Sequence, residues 1–410
     1  MRATPFLLGW AALAQVPWLA AGQFPAFVRH DLATFPAGYQ VAVADVNADG
    51  RPDVIALSTE ANRVDWFENP GWQPHAVART QRNIDLAPRD LDGDGRPELA
   101  LASGFYFSES SRGGEIQLLR QPANPTNRWQ LCPIAADPVV HRLRWADLDG
   151  DGQPELVHAP IFGPGSQGAA DPKPSHLWAF RPPAKLEAGP WQVWKVDETL
   201  TVLHGLSVAD LDHDGRDELL IASFEGVCRL DFEGKGSQGH WVKTLIAKGT
   251  EPRSAAPGAP RGASEVAAGK LGNAGVFIAT IEPWHGELLV VYAAATYAGP
   301  WQRIVIDDTL KEGHALEVAD LDGDGRDEIV AGWRAGKGGL ALYRAADGPG
   351  RTWAKHLLDD NLPVEGAVVT DLNGDGRLDL VASAGRANLL VWFEHSPSPT
   401  GAEGRVRGTR

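Results

Sequence analysis

Short apolar runs bounded by glycine, proline and aspartate recur along the whole chain. One set flanks a series of acidic turns, as at residues 41–44 and 219–222. A second set follows at 63–67, 115–119, 176–180, 227–230, 287–292, 339–343 and 388–393. Six of these are followed by a segment opening on tryptophan: Trp72, Trp129, Trp191, Trp241, Trp301 and Trp353. The pattern predicts four short period-two strands per unit, with these tryptophans and Trp66 packing the units together.

The acidic turns share one spacing. Their ligand-type residues are Asp45, Asn47, Asp49 and Asp53, then Asp90, Asp92, Asp94 and Glu98, then Asp147, Asp149, Asp151 and Glu155. The later copies are Asp210, Asp212, Asp214 and Glu218, then Asp320, Asp322, Asp324 and Glu328, then Asp371, Asn373, Asp375 and Asp379. The interval between the fourth and fifth copies is about double the others, and residues 266–279 within it keep the apolar pattern without the acids. They read as a further unit whose loop has decayed. Seven units of about 45 to 65 residues predict an all-β fold, a seven-bladed β-propeller of four-stranded blades over residues 23–395. The seventh unit runs out after Phe393, one strand short. Residues 27–32 have the character to supply that strand and close the ring, which removes an exposed edge.

Composition narrows the class. The chain has 410 residues, 43% of them hydrophobic and 22% charged, with 46 Gly and 30 Pro, which suits a turn-rich globular protein. A net charge of −15 argues against nucleic acid, since phosphates would go unneutralised. Cys132 and Cys228 cannot make a disulfide framework and read as buried small hydrophobes. Residues 1–22 have the charge, apolar run and small residues of a signal peptide cut near Gln23. The mature chain is therefore expected to be secreted or periplasmic, with no membrane span. Residues 396–410 are expected to be a disordered tail.

Three acidic side chains at alternate positions, a glycine at the sixth and a carboxylate at the ninth put several hard oxygens on one tight turn, which suits Ca²⁺. A β-strand follows each turn, and position 12 lacks the glutamate of an EF-hand. Up to six calcium ions are expected. These loops resemble the FG-GAP/VCBS repeats of integrin α-chain propellers. That resemblance implies a structural metal on the lower face, between the first and second strands of a blade.

The opposite face is where chemistry is expected. Six residues before each first acid, the units read Tyr39, Ile84, His141, His204, Gly262, His314 and Glu365. Equivalent positions in a closed ring sit at similar height and radius, so three imidazoles and a carboxylate should meet at the mouth of the channel. The segment Glu282-Pro-Trp-His285-Gly286 is expected to bring another His and Glu to that rim, with loops 104–114 and 160–175 walling one side. Arg144, Arg334 and Arg386 are candidate cations for positioning a ligand.

The strings around His141, His204, His285 and His314 look like the propeller domain of aldos-2-ulose dehydratase-type proteins. That resemblance implies a zinc-dependent elimination on a keto-sugar with a histidine base. The cupin and lectin-like domains of that family are not in the sequence, which favours a single elimination step. One zinc is expected on His204, His314 and Glu282 or His285, because zinc takes imidazole nitrogen and carboxylate oxygen. His141 is the expected base, with His285, Arg144 and Glu365 in the catalytic set. The reading is a secreted carbon–oxygen lyase acting on a small carbohydrate. The alternatives are a non-catalytic, calcium-stiffened carbohydrate- or protein-binding propeller, or a polysaccharide lyase.

Overall fold

A computed structural model describes residues 24–186, 189–236 and 239–397. The expected signal peptide and the tail beyond 397 lie outside these residues. The described residues form seven four-stranded antiparallel sheets. Among them there is no α-helix, only three-residue 3₁₀ turns such as Gly168–Ala170 and Gly272–Ala274. The blades cover residues 38–78, 85–136, 142–197, 205–247, 265–307, 313–359 and 366–396. In each, the first strand lines the channel and the fourth faces outward.

The closing strand is longer than the sequence suggests. Ala26–Thr34 pairs antiparallel with Leu389–Ser396, from Ala26 opposite Ser396 to Thr34 opposite Leu389. It is the outer strand of the seventh blade, whose inner strand is Gly366–Thr370. Ser396, expected in the tail, therefore belongs to the sheet.

Second strands such as Asp53–Ser58, Glu98–Ser103 and Glu218–Ser223 are buried at every position, because a neighbouring blade covers each face. Hence their sequences are nearly continuous apolar runs. Between blades three and four, Trp194 stacks on Phe232 at 5.3 Å; between five and six, Trp353 meets Phe277 edge-on at 5.2 Å. Cys228 is buried, Cys132 only partly, and no disulfide joins them.

The fifth blade keeps its place although its acidic loop is gone. Its inner strand Glu265–Lys270 turns directly into Val276–Glu282. Lys270 N–H donates to the Asp327 carboxylate at 2.6 Å, and Asp327 N–H returns to the Lys270 carbonyl at 2.9 Å. Asp147 and Asp217 make the same reciprocal pair between blades three and four, at 2.8 and 2.9 Å.

Candidate functional site

On the lower face each acidic loop folds onto its own backbone. The first acid accepts the N–H of the sixth-position glycine, at 2.8 Å for Asp45 and Gly50 and 2.9 Å for Asp320 and Gly325. Those glycines have φ of 82° to 87°, a backbone that side-chain-bearing residues rarely adopt. The ninth carboxylate accepts the N–H of the loop's second residue, as Glu328 does from Leu321 at 2.9 Å. Ligand oxygens of Asp90, Asp92 and Glu98, of Asp147, Asp149 and Asp151, of Asp210, Asp212, Asp214 and Glu218, and of Asp320, Asp322 and Glu328 lie within 4.8 Å of one another in each loop. Glu328 Oε1 is buried without a donor, which leaves an oxygen for a cation. The clusters of blades two, four and six fit a hard divalent ion.

The upper rim is built by a repeated backbone turn. Two residues before six of the seven rim positions, all but Glu365, the chain is left-handed: Ala37, Arg82, Val139, Val202, Gly262 and Glu312 have φ between 49° and 65°. Such a conformation costs a β-branched residue about 1–3 kcal/mol, so the ring must hold Val139 and Val202 in place. Gly262 therefore corresponds to Val202, and the rim residue of blade five is Ser264. Its N–H bonds the Ile281 carbonyl at 2.9 Å, as that of His204 bonds Ala222 at 3.0 Å and that of Glu365 bonds Ser383 at 2.9 Å. Counting along the sequence slid by two residues there because blade five has a shorter turn.

Four imidazoles converge. Ring centroids are 4.6 Å apart for His141 and His204, 4.5 Å for His204 and His285, 5.3 Å for His204 and His314, and 5.5 Å for His285 and His314. His204 Nδ1–H donates to the Ser264 carbonyl at 3.0 Å and lies 2.9 Å from Glu265 Oε1. His314 Nδ1–H donates to the Glu365 carbonyl at 2.5 Å. A carbonyl only accepts, so both rings carry their proton on Nδ1 and turn a bare Nε2 inward. His285 Nε2–H donates to the bare Nε2 of His204 at 2.8 Å. The Tyr39 hydroxyl donates to His314 Nε2 at 3.0 Å and lies 3.3 Å from His141 Nε2. His141 Nδ1 is buried without a partner.

Burial first, then neighbouring cations and imidazoles, hold the pKa values of His141, His285 and His314 well below 6.5. These rings are neutral at neutral pH and can offer lone pairs. The ligand nitrogens of His204, His285 and His314 lie within 4.8 Å of one another. With two Nδ1 atoms pinned by carbonyls, this set fits a metal that takes imidazole.

Glu282 does not join it. Its side chain runs into the blade, where Thr280 and Tyr292 hold Oε1 at 2.9 and 2.6 Å, and Thr250 and Arg303 hold Oε2 at 2.9 and 2.7 Å. Of the two residues expected to complete the set, the geometry brings His285, not Glu282, to His204 and His314. Arg144 also lies outside the cluster, paired with Asp85 at 2.9 Å lower in the channel. Glu365 stands beside it: its carboxylate takes Arg334 at 2.8 Å, with Arg386 at 3.6 Å, so both arginines meet a protein carboxylate.

Two residues with no assigned role in the sequence support the cluster. Arg142 is 2% exposed and bonds Glu265 Oε1 at 2.9 Å. The two meet across Gly205 of the intervening blade, where a Cβ would come within 2.7 Å of the Ser264 carbonyl oxygen. Although burial alone would raise it, Arg142 and His204 hold the Glu265 carboxyl below its usual range.

The loops expected to wall one side cover the cluster. Ser110 Oγ–H donates to the Ser166 carbonyl at 2.7 Å, tying the two loops together. Phe107 packs on Phe162 at 5.3 Å, and Trp284 stacks on His285 at 4.8 Å. His141, His204 and His314 are consequently 2% exposed or less. From the channel side, a cavity of about 430 Å³ reaches His314 and is lined by Arg142, Arg144, Ser207, Glu265 and Glu317. Burial there pushes the Glu317 carboxyl up to about 7.

Comparison with known proteins agrees with both resemblances read from the sequence. The family described as aldos-2-ulose dehydratase, beta-propeller domain, matches residues 113–295, which include His141, His204 and His285. FG-GAP-like repeats match 45–101 and 304–382, and an FG-GAP repeat matches 364–406. The aldos-2-ulose dehydratase of Phanerodontia chrysosporium is 24% identical over 339 residues, 76% of this chain. The match spans 35% of that protein's length. Among solved structures, BBS1N in complex with ARL6DN superposes with a TM-score of 0.56 at 12% identity, covering 91% of this chain and 98% of that one. A putative 6-phosphogluconolactonase from Bacteroides uniformis gives 0.52 at 16%, covering 87% and 92%. These two likenesses concern the fold alone.

Proposed function

We propose that the chain is a lyase that eliminates water or an alkoxide from a keto-sugar, with its chemistry at the rim histidines. The observation that carries this reading is the convergence of His141, His204, His285 and His314, two of them pinned at Nδ1 so that Nε2 points inward. The match to dehydratase propeller domains over the segment holding three of them supports it.

His204, His285 and His314 would hold a zinc ion, which when bound polarises the substrate carbonyl and stabilises the charge that develops on its oxygen. His141 takes the proton from the carbon next to the carbonyl, and its unpartnered Nδ1 is the atom free to do so. The electron pair released forms the new double bond as the β-oxygen substituent departs. The Tyr39 hydroxyl, between His141 and His314, can protonate that leaving oxygen. Arg142 and Glu265 orient His204, and the channel cavity gives a small sugar room beside His314.

The test is metal analysis of the purified protein together with incubation on a 2-keto-hexose derivative. About one zinc per chain and a near-ultraviolet band from an unsaturated ketone are expected. Absence of both zinc and that band would sink the reading. Replacing His141 by alanine should leave zinc content unchanged and slow turnover by about 10² to 10⁴-fold. Lost zinc would instead make His141 a ligand.

Calcium is proposed for the loops of blades one, two, four, six and seven. Without metal, burial pushes the ninth carboxyls up, Asp53 to about 6, Glu218 to about 7 and Glu328 to about 8. A carboxyl whose pKa is raised on folding contributes stability at acid pH that is lost as pH climbs through the folded value. In chelator the melting temperature should therefore fall between about pH 5 and 8. Calcium should raise the curve and flatten it, by about 2.7 kcal/mol per site at a hundredfold excess over Kd. A chelated protein with the same pH profile as the calcium-loaded one would overturn this.

A further inference from the structure

The acidic loop of blade three already contains a cation. Arg181 ends the strand Leu177–Arg181, one step past the Leu156–Phe180 pair, beside the ninth-position Glu155. Its Nη1 donates to Glu155 Oε1 at 2.8 Å and to Asp149 Oδ2 at 3.2 Å, and its Nη2 pairs with Asp151. Asp149 and Glu155 are 7% and 0% exposed. The guanidinium lies over the Trp194 ring, 5.5 Å from its centre, which backs it from the core side. Asp149 Oδ2 also accepts the Gly236 N–H from blade four at 3.0 Å, while its Oδ1 has no protein donor.

We propose that Arg181 is the resident cation of this loop, and that residues 147–155 bind no calcium although they keep every acid of the repeat. A calcium ion needs six to eight oxygens at about 2.3–2.6 Å. Here carboxylates from three of the four ligand positions are turned onto a planar, permanently charged fork that matches carboxylate geometry. A divalent ion in the same cradle would sit within a few ångströms of that charge, in a setting too buried for water to screen the repulsion.

The same sheet position sorts the other loops. One step past the pairs Val54–Phe67, Leu219–Leu230 and Leu380–Phe393 stand Glu68, Asp231 and Glu394, all acids. In blades one and seven the acid compensates the loop: Glu68 reaches Asn47 Nδ2 at 3.2 Å and Glu394 reaches Asn373 Nδ2 at 3.3 Å, the two positions where asparagine replaces aspartate. Arginine takes the step in blades two and six, as Arg120 and Arg344. Arg344 stands 3.5 Å from one carboxylate of its loop, Asp322, whereas Arg181 engages three. In blade three the arginine stands inside the loop, on three of its carboxylates.

Calcium per chain, measured by elemental analysis after equilibrium dialysis at fixed free calcium, tests this without any assay of activity. R181A should bind one calcium more than the parent protein. D151N, which touches only the exposed end of the cradle, should leave the parent's count unchanged. Equal counts for R181A and the parent overturn the proposal. So does the loss of one calcium in D151N, which also decides the matter if R181A fails to fold.

Discussion

Replacing His314 by alanine is expected to remove the rim zinc and lower the elimination rate by at least about 10³-fold, equivalent to about 4.1 kcal/mol of barrier. The size follows from what the ring does. A metal that polarises a carbonyl supplies several kcal/mol of transition-state stabilisation, and His314 is one of three nitrogens within 4.8 Å that can hold it. Folding should survive, because the lost Nδ1–H bond leaves one backbone carbonyl unpaired, a cost of about 1–3 kcal/mol. Zinc content, turnover and the calcium-dependent melting temperature should therefore separate: the first two fall and the third persists. If His314→Ala keeps its zinc, the ligand set is wrong. If it loses zinc but keeps its rate, the metal is not part of the chemistry.

Glu265→Ala should give the largest loss of stability among rim substitutions, about 3–5 kcal/mol, because it strands a buried charge. Arg142 is 2% exposed, Glu265 is its ion-pair partner at 2.9 Å, and Arg142 Nη1 already lacks an acceptor. No other carboxylate can swing in from blade four, where Gly205 leaves only backbone between the two. Glu265 also faces His204 Nδ1 at 2.9 Å, so its removal should weaken zinc binding by about 10 to 100-fold. Denaturant unfolding of Glu265→Ala, Arg142→Ala and the double variant forms a cycle. The double variant should be more stable than the sum of the single losses predicts. Strict additivity would mean that the pair does not act as a unit.

The propeller was readable because its evidence is repeated. Six acidic loops at one spacing, flanked by runs buried on both faces, leave little freedom in counting blades, and the missing last strand pointed to residues 27–32. The rim was readable for the same reason, since one offset from the loops places His141, His204, His314, Tyr39 and Glu365 at one height. What escaped was whatever the repeat does not encode. Blade five has lost its loop, so the offset fell on Gly262 instead of Ser264. Glu265, one residue further along, belongs to no repeated pattern and so gives no signal in sequence. Glu282 was placed at the rim because it neighbours His285, but strand alternation turns it inward to Arg303 and Tyr292. Arg181 carries no signal in sequence, since its role depends on a register that only the sheet reveals. The buried pairing of His158 with Asp137, at 3.0 Å, likewise joins a strand to a connecting loop and leaves no pattern in sequence.

Closure of the ring by Ala26–Thr34 imposes a timetable on the newly made chain. Ser396 Oγ–H donates to the Ala26 carbonyl across 370 residues of sequence. At about 5–20 residues per second, a ribosome needs on the order of 20–70 s to make the partner of a strand that emerged that many residues earlier. Such non-local pairing is intrinsically slow to form, whatever the stability of the finished ring. During that wait the strand presents bare amides and carbonyls to other chains, which is the condition for edge-to-edge association. Arg29 and Asp31, exposed charges on this strand, keep the waiting edge in solution. The six blades made first can pack against one another as they appear. The seventh cannot be completed until both extremities of the sheet-forming chain exist.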